Sequence, residues 1–299
     1  MADTIPLGGA VVEDPQMKPF AIARSWLLGL SLVLGLELPA WAGCGFPRGA
    51  GKTFFSLQPE VYRPRTRFDQ GGRLQPALSE YGETRLNLFA ETGLSDQLTL
   101  NLNTSYVFLE NRFASGADTV TQRNQGLRDL ELGLRHTWGN GDPFFSAQLT
   151  ALIPPGYATR DIPLPLGYGV FGYDLKVGVA ANTQLGSLPA FFDSCLTLRD
   201  YLGYPGDRLK ANLTFGADLS PEVQAIVALD GDFTLGNGAP LLFGDVAVQD
   251  PDYDSLKLSG QLNWRLEGGL TLGLGGFQFL TGRNTNAGGG FTGYVWLSY

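Results

Sequence analysis

Residues Gly289–Tyr299 read GGFTGYVWLSY. Counted back in twos from the end, Tyr299, Leu297, Val295, Gly293 and Phe291 share one face, apolar or aromatic with one glycine gap. Ser298, Trp296, Tyr294 and Thr292 share the other. Successive Cβ atoms of a strand point to opposite sides of its sheet, so this period of two predicts a β-strand at the end of the chain.

The same period runs back through the sequence. Leu98, Leu100, Leu102, Thr104, Tyr106 and Phe108 alternate with Thr99, Asn101, Asn103, Ser105 and Val107. Leu256, Leu258, Leu262, Trp264 and Leu266 alternate with Lys257, Ser259, Gln261, Asn263 and Arg265. Twelve strand candidates follow, and none has a helical period: 53–62, 80–91, 98–110, 127–138, 144–153, 169–181, 190–201, 207–219, 223–235, 255–266, 270–281 and 290–299. Their connections alternate in length. Those at 93–97, 139–142, 182–188, 220–222 and 267–269 are short. Those at 63–79, 111–126, 154–168 and 236–254 are long, and the more modest links at 202–206 and 282–289 fall in the same series. Tight turns at one end and longer loops at the other are the pattern of an outer-membrane barrel, and an even strand number puts both chain ends on the short-turn side. The expected fold is all-β: a single antiparallel transmembrane barrel of about 12 strands over 53–299, with 10 or 14 as alternatives. Aromatic residues near strand ends, among them Phe54, Phe55, Tyr62, Trp138, Phe144, Phe145, Phe191, Phe192, Tyr201, Trp296 and Tyr299, are expected to form two girdles at the membrane boundary.

The start of the chain fits an envelope destination. Lys18 and Arg24 precede an apolar run from Ser25 to Leu36, and Ala40-Trp41-Ala42 is a small-residue cleavage site. Residues 17–42 read as a secretory signal peptide, and 1–16 as an over-called start, with Met17 the true one, or a disordered leader. Residues 43–52 read as a periplasmic N-terminal segment. Across the cleavage site Trp41-Ala42-Gly43-Cys44 is similar to a lipobox, which makes Cys44 a candidate for lipidation. Cys195 is the second of two cysteines; a bond between them is compatible with an oxidising compartment but has no positive support. Residues 1–42 hold two basic and four acidic residues, so their removal takes the formal net charge from −8 to −6. An acidic chain argues against nucleic acid as a partner.

The terminal strand, with Phe291, Val295, Leu297 and Tyr299 on one face, resembles the C-terminal assembly signal of bacterial outer-membrane barrels. That resemblance implies the barrel assembly machinery, outer-membrane lipid and lipopolysaccharide as partners, and the outer membrane as location. The phrases Gly93–Leu100 (GLSDQLTL), Leu127–Arg135 (LRDLELGLR) and Gly282–Thr285 with Gly288–Gly290 resemble a group of proteobacterial barrels. It includes XagA-like proteins and channels associated with the MetA pathway of phenol degradation. The group implies a channel for small or hydrophobic molecules and supplies no catalytic residues.

Chemistry is poorly supported. Gly49-Ala50-Gly51-Lys52-Thr53 is the end of a phosphate loop without its first glycine or its helix. His136 is the single histidine, beside Trp138, and reads as an interfacial aromatic. Asp250, Asp252 and Asp254 read as a solvated acidic loop without the spacing of a calcium site. No enzyme activity, cofactor or metal is expected.

The lumen is the candidate site. Strand phase turns Arg85, Glu91, Asn101 and Asn103 inward in the early strands. Asp129, Glu131, Arg135, Asp174 and Lys176 follow, then Asp193, Arg199, Lys210 and Asp218, and last Lys257, Gln261 and Arg265. Mixed charge leaves two readings open, a wet selective constriction and a lumen filled by ion pairs. The favoured function is passive passage of small solutes, hydrophobic or aromatic compounds among them. The alternatives are a closed structural or surface-interaction barrel whose long outer loops bind a partner, and a barrel hydrolase.

Overall fold

The computed structural model describes residues 44–299 apart from 116–117, 140, 160–161, 163, 204, 237–240, 244–245 and 250–251. The leader 1–16 and the signal peptide 17–42 lie outside the described residues. Twelve antiparallel strands form the wall: β1 Thr53–Tyr62, β2 Glu80–Gly93, β3 Leu98–Ser115, β4 Leu130–Trp138, β5 Phe144–Ile153, β6 Gly172–Leu185, β7 Leu188–Tyr201, β8 Arg208–Asp218, β9 Val223–Thr234, β10 Asp254–Arg265, β11 Leu270–Arg283 and β12 Thr285–Ser298. Each pairs with its neighbour in sequence. β12 also pairs with β1, from Phe54 opposite Ser298 to Tyr62 opposite Gly290, and this closes the barrel. The expected all-β barrel of 12 strands is therefore the fold.

The wall is inside out compared with a protein that faces water. Its outward face is apolar all round: Leu132 (41% exposed), Leu149, Val177, Leu196, Leu213, Val227, Leu262, Leu274 and Phe291 (80%) all project from it. Its inward face buries Thr99, Asn101, Gln148, Thr150, Gln224 and Asn263. A continuous apolar belt of this size costs free energy in water and none in hydrocarbon, which is the logic of a membrane barrel.

Three local features depart from expectation. The link at 111–126 is mostly strand: β3 runs on to Ser115 and pairs with Asp118–Leu127, so a hairpin arm extends past the wall. Leu127 belongs to that arm, and β4 starts at Leu130 after a break at Arg128 and Asp129. The last connection is one residue, Asn284, at φ 50°, a left-handed conformation that asparagine tolerates. The glycines after it make no loop. A Cβ on Gly290 would lie 2.5 Å from the Phe277 ring and 2.5 Å from the Val61 carbonyl, so glycine there serves close packing inside a strand.

The girdle expectation holds in part. Trp138, Phe145 and Tyr299 are exposed near strand ends, whereas Phe54, Tyr62, Phe191, Tyr201 and Trp296 are buried on the inward face. His136 lies on the outward face with its ring 4.7 Å from that of Trp138.

The two faces should respond differently to one charge. Leu132→Arg is expected to cost about 2–4 kcal/mol if the site lies near the bilayer midplane. Asn212→Arg, which faces the lumen opposite Asp230, should change stability by less than about 1 kcal/mol. Urea titration of both variants folded in lipid vesicles checks this, and equal costs would contradict the assignment of faces.

Candidate functional site

Inward side chains and an inserted segment divide the lumen into a floor, a cavity and a covered mouth. The floor lies at the short-turn end. The segment read as a periplasmic tail enters the lumen there. Cys44 and Cys195 of β7 form a disulfide. The lipidation reading of Cys44 fails for this reason: its sulfur is already bonded, so no thiol remains for a lipid thioether. Asp193 Oδ1 accepts the Cys44 N–H at 3.1 Å, and its Oδ2 accepts the Gly45 N–H at 3.2 Å. Ser146 donates to the Cys44 carbonyl. Gly45 has no room for a side chain, because a Cβ would lie 2.2 Å from Ala180 Cβ.

Farther along, Arg135 donates from Nη2 to the Phe46 carbonyl and to Glu91 Oε2, both at 2.9 Å. Arg48 pairs with the same carboxylate at 3.3 Å and lies 4.8 Å over the Phe54 ring. The Glu91 and Arg135 side chains are almost wholly buried. Phe46 packs 5.8 Å from Phe144 and 6.1 Å from Phe191. Residues 44–52 thus form a strap pinned at β7 by a covalent bond and continuous with β1 at its other end. The remaining floor is polar: Asn101 accepts from Gln148, Gln261 donates to Asn263, and Asp218 accepts from Gln224 and pairs with Arg265 at 2.6 Å.

Above the strap is a cavity of about 700 Å³. Arg85, Asn103, Lys176, Lys210 and Lys257 line it among the expected residues. Most charges are engaged. Arg85 binds Glu83, which also pairs with Arg128 at 3.3 Å. Arg199 grips both oxygens of Asp174 at 2.7 Å and reaches Glu131 at 2.6 Å, where Asn103 also donates. Lys257 lies 3.6 Å from Asp230, and Arg208 lies 2.8 Å from Asp232.

The mouth is narrowed from the long-loop side. Leu164 and Leu166 of the connection after β5 are buried against Val107 and Leu109 of β3. Tyr157 of the same connection donates to Asp129. The acidic loop is not freely solvated: Arg283 binds both oxygens of Asp252 at 2.7 and 2.8 Å and Asp254 at 2.9 Å. These hydrogen bonds hold the Asp252 carboxyl below its ordinary pKa. Asp250 lies outside the described residues.

The sequence reading missed the strap and the inward aromatics, and left the Cys44–Cys195 bond open. For Trp296 the signal was present, since it shares the phase of Thr292 and Tyr294. For the strap there was none beyond two cysteines.

No family model and no curated protein sequence matches the chain. The likeness is one of fold. Among solved structures, the COG4313 outer membrane channel from Pseudomonas putida F1 superposes with a TM-score of 0.65 at 15% identity, covering 88% of this chain and 100% of that one. The beta domain of the Bordetella autotransporter BrkA gives a TM-score of 0.48 at 13% identity, over 84% of this chain and 100% of that one. The Pseudomonas putida toluene transporter TodX gives 0.40 at 8%, over 83% and 88%. The XagA-like and MetA-pathway resemblance receives no support from a family model.

The strap can be tested with trypsin, because Arg48 is one of its two basic residues. Glu91→Gln leaves Arg135 and Arg48 without their shared carboxylate, and breaking such a buried pair costs about 3–5 kcal/mol. The variant is expected to be cut after Arg48 at least tenfold faster than the native chain, read by mass spectrometry of the folded barrel. Equal rates would mean that these ion pairs do not hold the strap.

Proposed function

We propose that this protein is an outer-membrane channel for small solutes, with its short-turn end in the periplasm. The observation that carries the reading is the cavity enclosed by a closed barrel. Its volume is in the range of small-molecule sites. The barrel is wide enough that wall side chains alone do not fill it, and the space is lined on one side by rings. Apolar and aromatic solutes, as the resemblance of the sequence implies, suit that lining. In this reading Phe291, Val295, Leu297 and Tyr299 serve assembly in the membrane, and the inward charges set which solutes pass.

The strap favours a second reading. A floor held by a disulfide, two ion pairs to Glu91 and backbone hydrogen bonds to Asp193 also suits a barrel that stays shut and works through its outer loops.

Planar-bilayer conductance separates the two. The chain from Cys44 is expected to give small, infrequent steps. Cys44→Ser with Cys195→Ser should open more often, and deletion of residues 44–48 should raise conductance severalfold. A deletion variant that is folded, by heat-modifiable migration in gels, yet silent would favour the shut barrel.

A further inference from the structure

Most rings of the cavity lie on the wall opposite Lys176 and Lys210; Tyr253, which stacks on Arg208 at 3.7 Å, is the exception. Eight aromatic side chains line it from β11, β12, β1 and β2 or their ends: Phe277, Phe279, Tyr294, Trp296, Phe54, Tyr62, Tyr81 and Phe89. These four strands are consecutive in the closed sheet. Their rings run on from one to the next. Phe54 lies 6.0 Å from Trp296 and 6.2 Å from Phe89, Trp296 lies 5.9 Å from Tyr294, and Tyr62 lies 5.6 Å from both Phe277 and Phe279.

Across the lumen, Lys176 of β6 and Lys210 of β8 flank Thr197 of β7 in one row, since Thr197 is the register partner of both. All three line the cavity. The carboxylates on this wall already have closer cations. Asp174 and Glu131 are held by Arg199, and Asp232 by Arg208 at 2.8 Å, against 4.0 Å to Lys210. Lys176 forms no ion pair among the described residues. A fourth carboxylate, Asp129, lines the same region and accepts a hydrogen bond from Tyr157. Each ammonium carries three donors, and both side chains line the same cavity.

We infer that the lumen binds an amphiphilic anion: an aromatic or apolar body on the ring wall with a carboxylate, or a comparable single anionic head, on Lys176, Thr197 and Lys210. A cation is disfavoured, because Glu60 and Glu83 pair with Arg85 and Asp230 pairs with Lys257. A neutral apolar solute would satisfy the rings and leave the ammonium donors unused. Charge-assisted hydrogen bonds are the stronger kind, so the head is expected to dominate discrimination while the rings supply affinity. The inference rests on the reading that the lumen receives solute, but it concerns binding and not passage.

The test is calorimetric titration of the barrel in lipid nanodiscs with three probes: 4-phenylbutyrate, 4-phenylbutanol and butyrate. The native protein should bind 4-phenylbutyrate about tenfold more tightly than either of the others. Lys176→Gln with Lys210→Gln should bring the acid down to the level of the alcohol, and Lys176→Arg with Lys210→Arg should retain the preference. Phe277→Ala with Phe279→Ala should weaken acid and alcohol together. Equal affinity for acid and alcohol in the native protein, a preference that survives the double glutamine change, or no binding of any probe would overturn the inference. Binding with the expected pattern in a barrel that never conducts would retain the site and remove the channel reading. Conductance without the acid preference would do the reverse.

Discussion

The pairing of β1 with β12 is the constraint on which everything else depends. Hydrocarbon offers no partner to a backbone N–H or C=O, so a sheet that spans it has no tolerable edge. Register pairs from Phe54–Ser298 to Tyr62–Gly290 remove both edges at once. Closure then fixes the rest. With twelve strands, each outward side chain must tolerate lipid and each inward one must share a confined polar space. The alternation that marks each strand is the local imprint of that global requirement. The glycines at 289 and 290 belong to it too, since Phe277 covers them at distances that any Cβ would violate.

A wide barrel poses a second problem, which the inward charges and the strap answer together. Wall side chains of a small barrel meet in the middle, but those of twelve strands leave space. Here the lower part of that space is taken up by backbone from the N-terminal segment, which needs hydrogen-bonding partners of its own. Asp193 and Arg135 supply them. Glu91 then has a double role: it neutralises Arg135 and it receives Arg48 from the strap. A buried pair of this kind adds little net stability, because desolvation offsets most of the attraction. Its effect is specificity, since any displacement of the strap leaves one of the three charges without its partner.

Much of this was legible in the sequence, and the limits have physical causes. Strand positions and the sense of each face follow from period-two patterning, which is local, and the structure places Thr99, Asn101 and Gln261 inward and Leu132 and Leu262 outward as that phase requires. Features that depend on contacts distant in sequence were not legible. Cys44 and Cys195 are separated by 151 residues, and nothing near either one indicates the other. The stretch after Arg283 has the composition of a loop, because glycine serves turns and tight strand packing equally well, and only Phe277 distinguishes the two. The aromatic residues near strand ends gave a mixed result for a similar reason. Position along a strand suggests a membrane boundary, but parity decides whether the ring meets lipid or lumen, and Trp296 and Phe54 have inward parity.

The strap's two attachments bear on how the lumen could open. In a ring of twelve strands β7 lies opposite β1, so residues 44–49 cross the floor from β7 to the adjoining ends of β1 and β2. From strand spacing and tilt, a twelve-strand barrel is roughly 20–25 Å across between strand axes. Residues 49–52 make a turn tied to the end of β2, with the Gly51 N–H on the Gly93 carbonyl and the Ala50 N–H on Asp96, so only the five steps from Cys44 to Gly49 make the crossing, about 17 Å fully extended. The strap therefore has little slack, and with both ends fixed it can rise or sink but cannot swing clear. Breaking the ion pairs to Glu91 alone would loosen its middle and leave its path across the floor. Breaking the disulfide frees one end, and the strap becomes a tail hinged at β1. The covalent bond and the ion pairs thus control different motions, the first the removal of the floor and the second its flexing. A channel that passes small solutes around a flexed strap would need only the second.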